Sequence, residues 1–210
     1  AMTREQAIQC LEVGIETAHE QIAACVDLLD CGDMGIGNTT PSSAIASVIT
    51  GAAPEITTGR GTGLDDAGLA HKAEVVHRAI DTNKPDAKNG LDVLIKVGGF
   101  EIGVLAGVYL GAAAGNRPVL VDGFISGAAA LIAHAIAPDA AHSLIASHQS
   151  VEPGRRLSLS YMGLGPLLDL GMRLGEASGA ATAILLLRAG CATHAGMASF
   201  AASGVAEKSD

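Results

Sequence analysis

Glu176 stands in the run GMRLGEASGA, a carboxylate flanked by glycines and removed from any charged helix face. Such a group suits a general base, which takes a proton from a substrate as a bond forms. It suits equally an acid that caps amides at a helix start near Ser178. Far upstream, Gly32 to Pro41 reads GDMGIGNTTP, following an apolar strand candidate (Val26 to Leu29) and running into a helix. Gly35 and Gly37 are free to take positive φ and present bare N–H groups, Thr40 is a candidate N-cap, and Pro41 fits the first helical position. The combination makes an anion site at a helix N-terminus, with a plain strand-to-helix turn as the alternative. No Lys follows the glycines as in a Walker loop, and the G-x-G-x-x-G dinucleotide spacing is absent.

A second glycine loop, TTGRGTGLDD from Thr57 to Asp66, opens another helix. Lys72 lies one to two turns beyond it, within reach of a phosphate held by Gly59 and Gly61, or else is a surface lysine. Arg60, inside the loop, either clamps phosphate or braces the turn. Asp122 and Gly123 end a strand candidate, where an acid is placed to bind ribose hydroxyls, the alternative being a buried acid satisfied by backbone. Arg173 reads as solvated or structural. The seven histidines show no metal-ligand spacing, and His148, at a strand end, reads as structural. Ser126, Ser147 and Ser150 lack the setting of a nucleophile elbow.

The elements that must position these groups alternate between helix and strand. Thr3 to Gln6 reads as a capping box, and apolar residues from Ala7 to Cys25 recur at helical spacing, so the chain opens with a helix expected to pack on a sheet. A strand ending near Asp30, a helix from Pro41 to about Thr50, and a helix capped by Asp65 or Asp66 and running to about Asp81 follow. Leu91 to Ala114 reads as two helices broken at Gly98-Gly99. Pro118 to Gly123 reads as a buried parallel strand, Ala128 to Ile136 as helix, and Ser143 to Ser147 as a short strand. The remainder, from about Arg156 to Ala202, reads as helical apart from turns at Gly163 to Pro166 and Gly171 to Ser178. Three strands alternating with helices imply an α/β fold, a parallel sheet with flanking helices in a Rossmann-like three-layer arrangement, with ligands beyond the carboxyl ends of the strands. A sheet this narrow also implies that it is incomplete in this chain.

The 210 residues suit a single domain, 1–210. Hydrophobic residues make up 49% and aromatic ones 2%, so Ala, Leu, Val and Ile must build the core. A net charge of −9 disfavours a nucleic-acid surface, and any phosphate must be met by local amides and a few placed cations. Cys10, Cys25, Cys31 and Cys191 show no disulfide or paired C-x-x-C spacing and read as reduced, mostly buried thiols. The apolar stretch from Ile102 to Asn116 is too short for a membrane span, so a soluble, cytoplasmic protein is expected.

Four long motifs, GDMGIGNTTPSSA, GRGTGLDDAGLAHK, KVGGFEIGVLAGVYLGAAAGNRPVLVDGFISGAAAL and GMRLGEASGAA, closely resemble, in order, those of the nicotinate-nucleotide:dimethylbenzimidazole phosphoribosyltransferase family. The resemblance covers essentially the whole chain. It implies transfer of 5-phosphoribose from nicotinate mononucleotide to 5,6-dimethylbenzimidazole, giving α-ribazole 5′-phosphate for the lower ligand of cobalamin. Glu176 matches the family's catalytic glutamate, and Asp33 stands where the family usually has Glu, an auxiliary acid one methylene shorter. Gly35, Asn38, Thr39, Gly59, Gly61 and Lys72 match the phosphate-holding region, Asp122 and Gly123 the ribose-side strand end, and Met34, Leu174 and Gly175 the aromatic base pocket. Ser147 and Ser150 complete the substrate-binding set. No cofactor or metal is implied, and the resemblance carries over a homodimer. The family's chains extend well before the position matching Ala1, so a truncated, non-catalytic nucleotide-binding or dimerisation core is the alternative.

Overall fold

The computed structural model describes residues 1–61 and 63–204. Three short parallel strands, β1 (Leu29–Cys31), β2 (Val119–Val121) and β3 (Leu144–Ala146), form one sheet in the order β1-β2-β3. Leu29 aligns with Val119 and Val119 with Leu144, so all three strands end at the same level. Parallel strands need long crossovers. Between β1 and β2 run α2 (Thr39–Thr50), α3 (Pro54–Thr57), α4 (Asp66–Asn83), α5 (Gly90–Val97) and α6 (Phe100–Ala114). Between β2 and β3 run α7 (Phe124–Ile136) and a 3-10 helix (Pro138–Ser143). After β3 come α8 (Pro153–Tyr161) and α9 (Ser178–Gly196). The α/β fold with a parallel sheet and flanking helices is as the alternation implied.

Side chains alternate across a strand, and the two faces of this sheet meet different layers. Leu29, Val119, Val121, Leu144 and Ala146 belong to the main core with α2, α5, α6 and α7. Leu120 packs on Ala180 and Ala183 of α9 on the other face. Every residue of α7 from Phe124 to Ala133 is buried, as befits a helix apolar all round.

The first helix, α1 (Arg4–Ala23), has the capping box read from Thr3 and Gln6. It packs chiefly on α6 rather than on the sheet. The cause is a seam of small residues: a Cβ at Gly14 would lie 2.0 Å from the carbonyl oxygen of Val104, and one at Gly107 only 2.2 Å from that of Leu11. The two backbones approach too closely for any side chain there.

Other boundaries depart from expectation. Helix α2 starts at Thr39, which puts Pro41 at the third helical residue and not the first. Asp65 is the cap of α4 and accepts from Gly68 N–H. Residues 162–177 are mostly irregular, as the turns read at Gly163 to Pro166 and Gly171 to Ser178 implied, but the stretch between them, expected to be helical, is not, because the backbone of Leu167 and Leu168 donates to Ala146 and Ser147 at the end of β3. Cys10 is buried, but Cys25 and Cys191 are exposed, contrary to the reading of mostly buried thiols. No helix among the described residues is long and apolar enough to cross a membrane.

Candidate functional site

Past the level where the strands end, three loops converge on a cavity of about 360 Å³. Asp33, Met34, Gly35, Thr39, Gly61, Asp122, Gly123, Ser150, Leu174, Gly175 and Glu176 all reach its wall. Asp33 and Glu176 stand near opposite ends of the chain. The loop after β1 and the turn before α9 share one wall because both close over the carboxyl ends of neighbouring strands.

In the first loop Gly37 takes the left-handed conformation at φ 76°, whereas Gly35 does not. Asn38 occupies the N-cap position of α2 without capping it. Its Nδ2 donates instead to Asp33 Oδ2 at 2.8 Å and to the Met34 carbonyl at 3.2 Å, so it shapes the loop from behind the cavity wall. Burial pushes the Asp33 carboxyl above its ordinary range, the Asn38 hydrogen bond opposes this, and the charges of Asp122 and Glu101 add to it. Met34 and Leu174 stand exposed at the mouth.

Lys72 is not a surface lysine. It is buried, and its Nζ donates to Thr39 Oγ1 at 2.8 Å and to the Gly59 carbonyl at 3.1 Å, tying the two glycine loops together. An ammonium has three N–H donors, so the third is without a partner among the described residues. Burial lowers its proton affinity and the Glu152 charge partly restores it. Lys72 lines a second cavity that shares Gly35, Ile36, Thr39 and Gly61 with the first. Arg60 braces its own turn, donating to the Leu64 carbonyl at 2.8 Å and pairing with Asp66. Glu152 lies against Gly59 and holds Gly61, its Oε1 accepting from Gly61 N–H at 3.1 Å. Nothing in the sequence singled out Glu152, although Pro153 marks a helix start just after it.

The turn that carries Glu176 is conformationally unusual. Gly175, Glu176 and Ala177 have φ of 78°, 55° and 61° in succession. For the two non-glycine residues this costs on the order of 1–3 kcal/mol each, which surrounding contacts must offset. Glu176 N–H donates to the Asp33 carbonyl at 3.1 Å. Asp122, 1% exposed, accepts from Ala177 N–H at 3.2 Å and Ala180 N–H at 3.0 Å. Its carboxylate is therefore satisfied by backbone, the alternative to the ribose-binding role expected from its strand-end position. Ser147 is buried behind it and donates to the Val121 carbonyl at 2.8 Å. His148 is buried too, and burial lowers its proton affinity, with the Asp122 charge opposing. Arg155, wholly buried and missed from the sequence, donates to the Val121 carbonyl at 2.8 Å. Burial brings its pKa down to about 10.

Four carboxylates line the first cavity: Asp33, Asp122, Glu152 and Glu176. Three accept hydrogen bonds from Asn38, from Ala177 and Ala180, and from Gly61. Among the described residues the Glu176 side chain accepts none, and it is exposed to the cavity. Of the four, it is the carboxylate without a hydrogen-bond donor among the described residues. Among the described residues no cluster of His, Cys, Asp and Glu is arranged to hold a metal.

Parallel strand ends, a lysine between glycine loops and a carboxylate without a hydrogen-bond donor thus meet around two adjoining cavities of an α/β fold. A family model described as phosphoribosyltransferase matches residues 1–205, and the chain belongs to that family. A protein of Dehalococcoides mccartyi strain BAV1, named nicotinate-nucleotide–dimethylbenzimidazole phosphoribosyltransferase, is 55% identical over 208 residues, covering 99% of this chain and 59% of its own length. One of the same name from Chloroflexus aggregans is 54% identical over 210 residues, covering 100% of this chain and 60% of its own. The crystal structure of CobT from Thermus thermophilus superposes with a TM-score of 0.92 at 43% identity, covering 99% of this chain and 62% of that one. The chain thus spans about three-fifths of the length of the relatives it matches.

Proposed function

We propose that the chain, acting as a single domain, transfers 5-phosphoribose from nicotinate mononucleotide to 5,6-dimethylbenzimidazole, releasing nicotinate and α-ribazole 5′-phosphate. The observation that carries this reading is the free Glu176 carboxylate on a cavity wall beside the Lys72 cradle. Glu176 takes the N–H proton of the benzimidazole while the other ring nitrogen attacks C1′ of the ribose, and the configuration at that carbon inverts. The C1′–N bond to nicotinate breaks, its electron pair returning to a ring nitrogen that was positively charged, so no acid is needed at that atom. Lys72 and the loop amides hold the 5′-phosphate. Met34 and Leu174 flank the acceptor ring, and Asp33 assists. The relatives' names support the substrate pair. A homodimer in the cytoplasm is part of the same reading.

The test mixes the chain with both substrates and follows α-ribazole phosphate by chromatography, with Glu176→Gln in parallel. A positioned base contributes roughly 10²–10⁴-fold, and the variant is expected to lose a factor in that range. Equal product from both proteins overturns the assignment of Glu176. Mononucleotide binding without product in the unmodified chain favours a non-catalytic nucleotide-binding core.

A further inference from the structure

Helix α9 begins without a cap of its own: its N-cap residue is Ala177, and no side chain near it in sequence bonds its first amides. The cap comes from 55 and 58 positions upstream, where Asp122 Oδ2 accepts from Ala177 and Oδ1 from Ala180. We propose that Asp122 is a positioning residue that acts through Glu176, by holding the left-handed turn that carries it. This rests on Glu176 being the base.

Two contacts show how closely the turn is seated. A Cβ at Gly32 would lie 2.1 Å from Ala177 N, and one at Gly179 would lie 1.9 Å from His148 Nδ1. The turn is therefore pressed onto the continuation of β1 on one side and the end of β3 on the other. Asp122, just past the end of β2 between them, supplies the hydrogen bonds. Without these, Ala177 loses a contact that offsets its positive φ, and relaxation toward the right-handed region redirects Glu176. Asp122→Asn keeps the shape but exchanges one acceptor oxygen for an NH2 group facing an amide N–H.

The experiment measures kcat, KM for nicotinate mononucleotide, and amide exchange at Ala177 and Ala180. Asp122→Asn is expected to lower kcat by about 10²-fold, the scale of a small misplacement of a reacting group, with KM unchanged and exchange at both amides faster. Adding Ala177→Gly to that variant restores part of kcat, because glycine takes positive φ without steric cost. A raised KM with kcat and exchange unchanged, or no rescue by glycine, overturns the proposal in favour of a direct ribose contact. Unprotected Ala177 and Ala180 amides in the unmodified chain overturn it whether or not the variant folds. Full activity in Glu176→Gln removes the reading beneath it, which separates that failure from this one.

Discussion

Asp30 lies in the middle of β1, level with Leu120, with Oδ1 buried and without a partner among the described residues. Burial first, and then the charge of Asp122, raise its pKa from 3.8 to about 6. The folded state therefore binds a proton between those values that the unfolded chain releases. Stability from this residue is fully present below pH 3.8 and is lost as pH rises through about 6. The gap corresponds to at most about 3 kcal/mol at neutral pH, at about 1.4 kcal/mol per pH unit, and solvent screening of a half-buried group lowers it to about 1–2 kcal/mol. Asp30→Asn removes the charge but puts an NH2 group where a half-buried carboxyl oxygen stood, which costs about 1–3 kcal/mol on its own account. The two effects nearly cancel at pH 7, so the variant is expected to match the parent there and to be less stable at pH 4. Urea unfolding at several pH values between 4 and 7 measures both, and the expected signature is a profile that falls with pH more steeply for Asp than for Asn. Parallel profiles would refute the reasoning.

Lys72→Met removes the ammonium donor proposed for the phosphate, and a hydrogen bond to a charged group is worth roughly 1.5–3 kcal/mol. Inorganic phosphate and nicotinate mononucleotide are expected to bind about 10–100-fold more weakly, by calorimetry. In the unmodified chain the affinity should fall at a pH below 10.5, since burial lowers the lysine's proton affinity. Gly32→Ala forces a Cβ against the Ala177 backbone, and overpacking of this kind costs about 1–3 kcal/mol. A lower urea midpoint together with reduced kcat is expected.

The strand ends were legible because apolar runs closed by Asp or Gly mark buried parallel strands, as at Pro118 to Gly123. The glycine loops and Lys72 were singled out by residue type and spacing, and the fold brings the two loops and the lysine together. What stayed hidden was mostly a matter of long-range contact. The cap of α9 comes from Asp122, and no local pattern links it to Ala177. The turns at Gly163 to Pro166 and Gly171 to Ser178 were legible, yet the apolar stretch between them, read as helical, is drawn out by hydrogen bonds from Leu167 and Leu168 to the end of β3. Arg155 and Arg156 are neighbours in sequence, and only the fold decides that Arg155 is buried and Arg156 exposed.

A chain of net charge −9 repels an anionic ligand at long range, and four of its acids line the cavity itself. The repulsion is reduced locally by dipoles. Asp122 is met by two amides, Glu152 by another, and Asp33 by the Asn38 amide. Had lysines or arginines neutralised these acids, the cations would be engaged and unavailable to phosphate. Because N–H groups meet them instead, with Lys72 adding only its charge near Glu152, the proposed phosphate and base roles of Lys72 and Glu176 stay compatible with so acidic a cavity. Of these donors one is a glycine, Gly61, whose left-handed backbone at φ 53° brings its amide to Glu152.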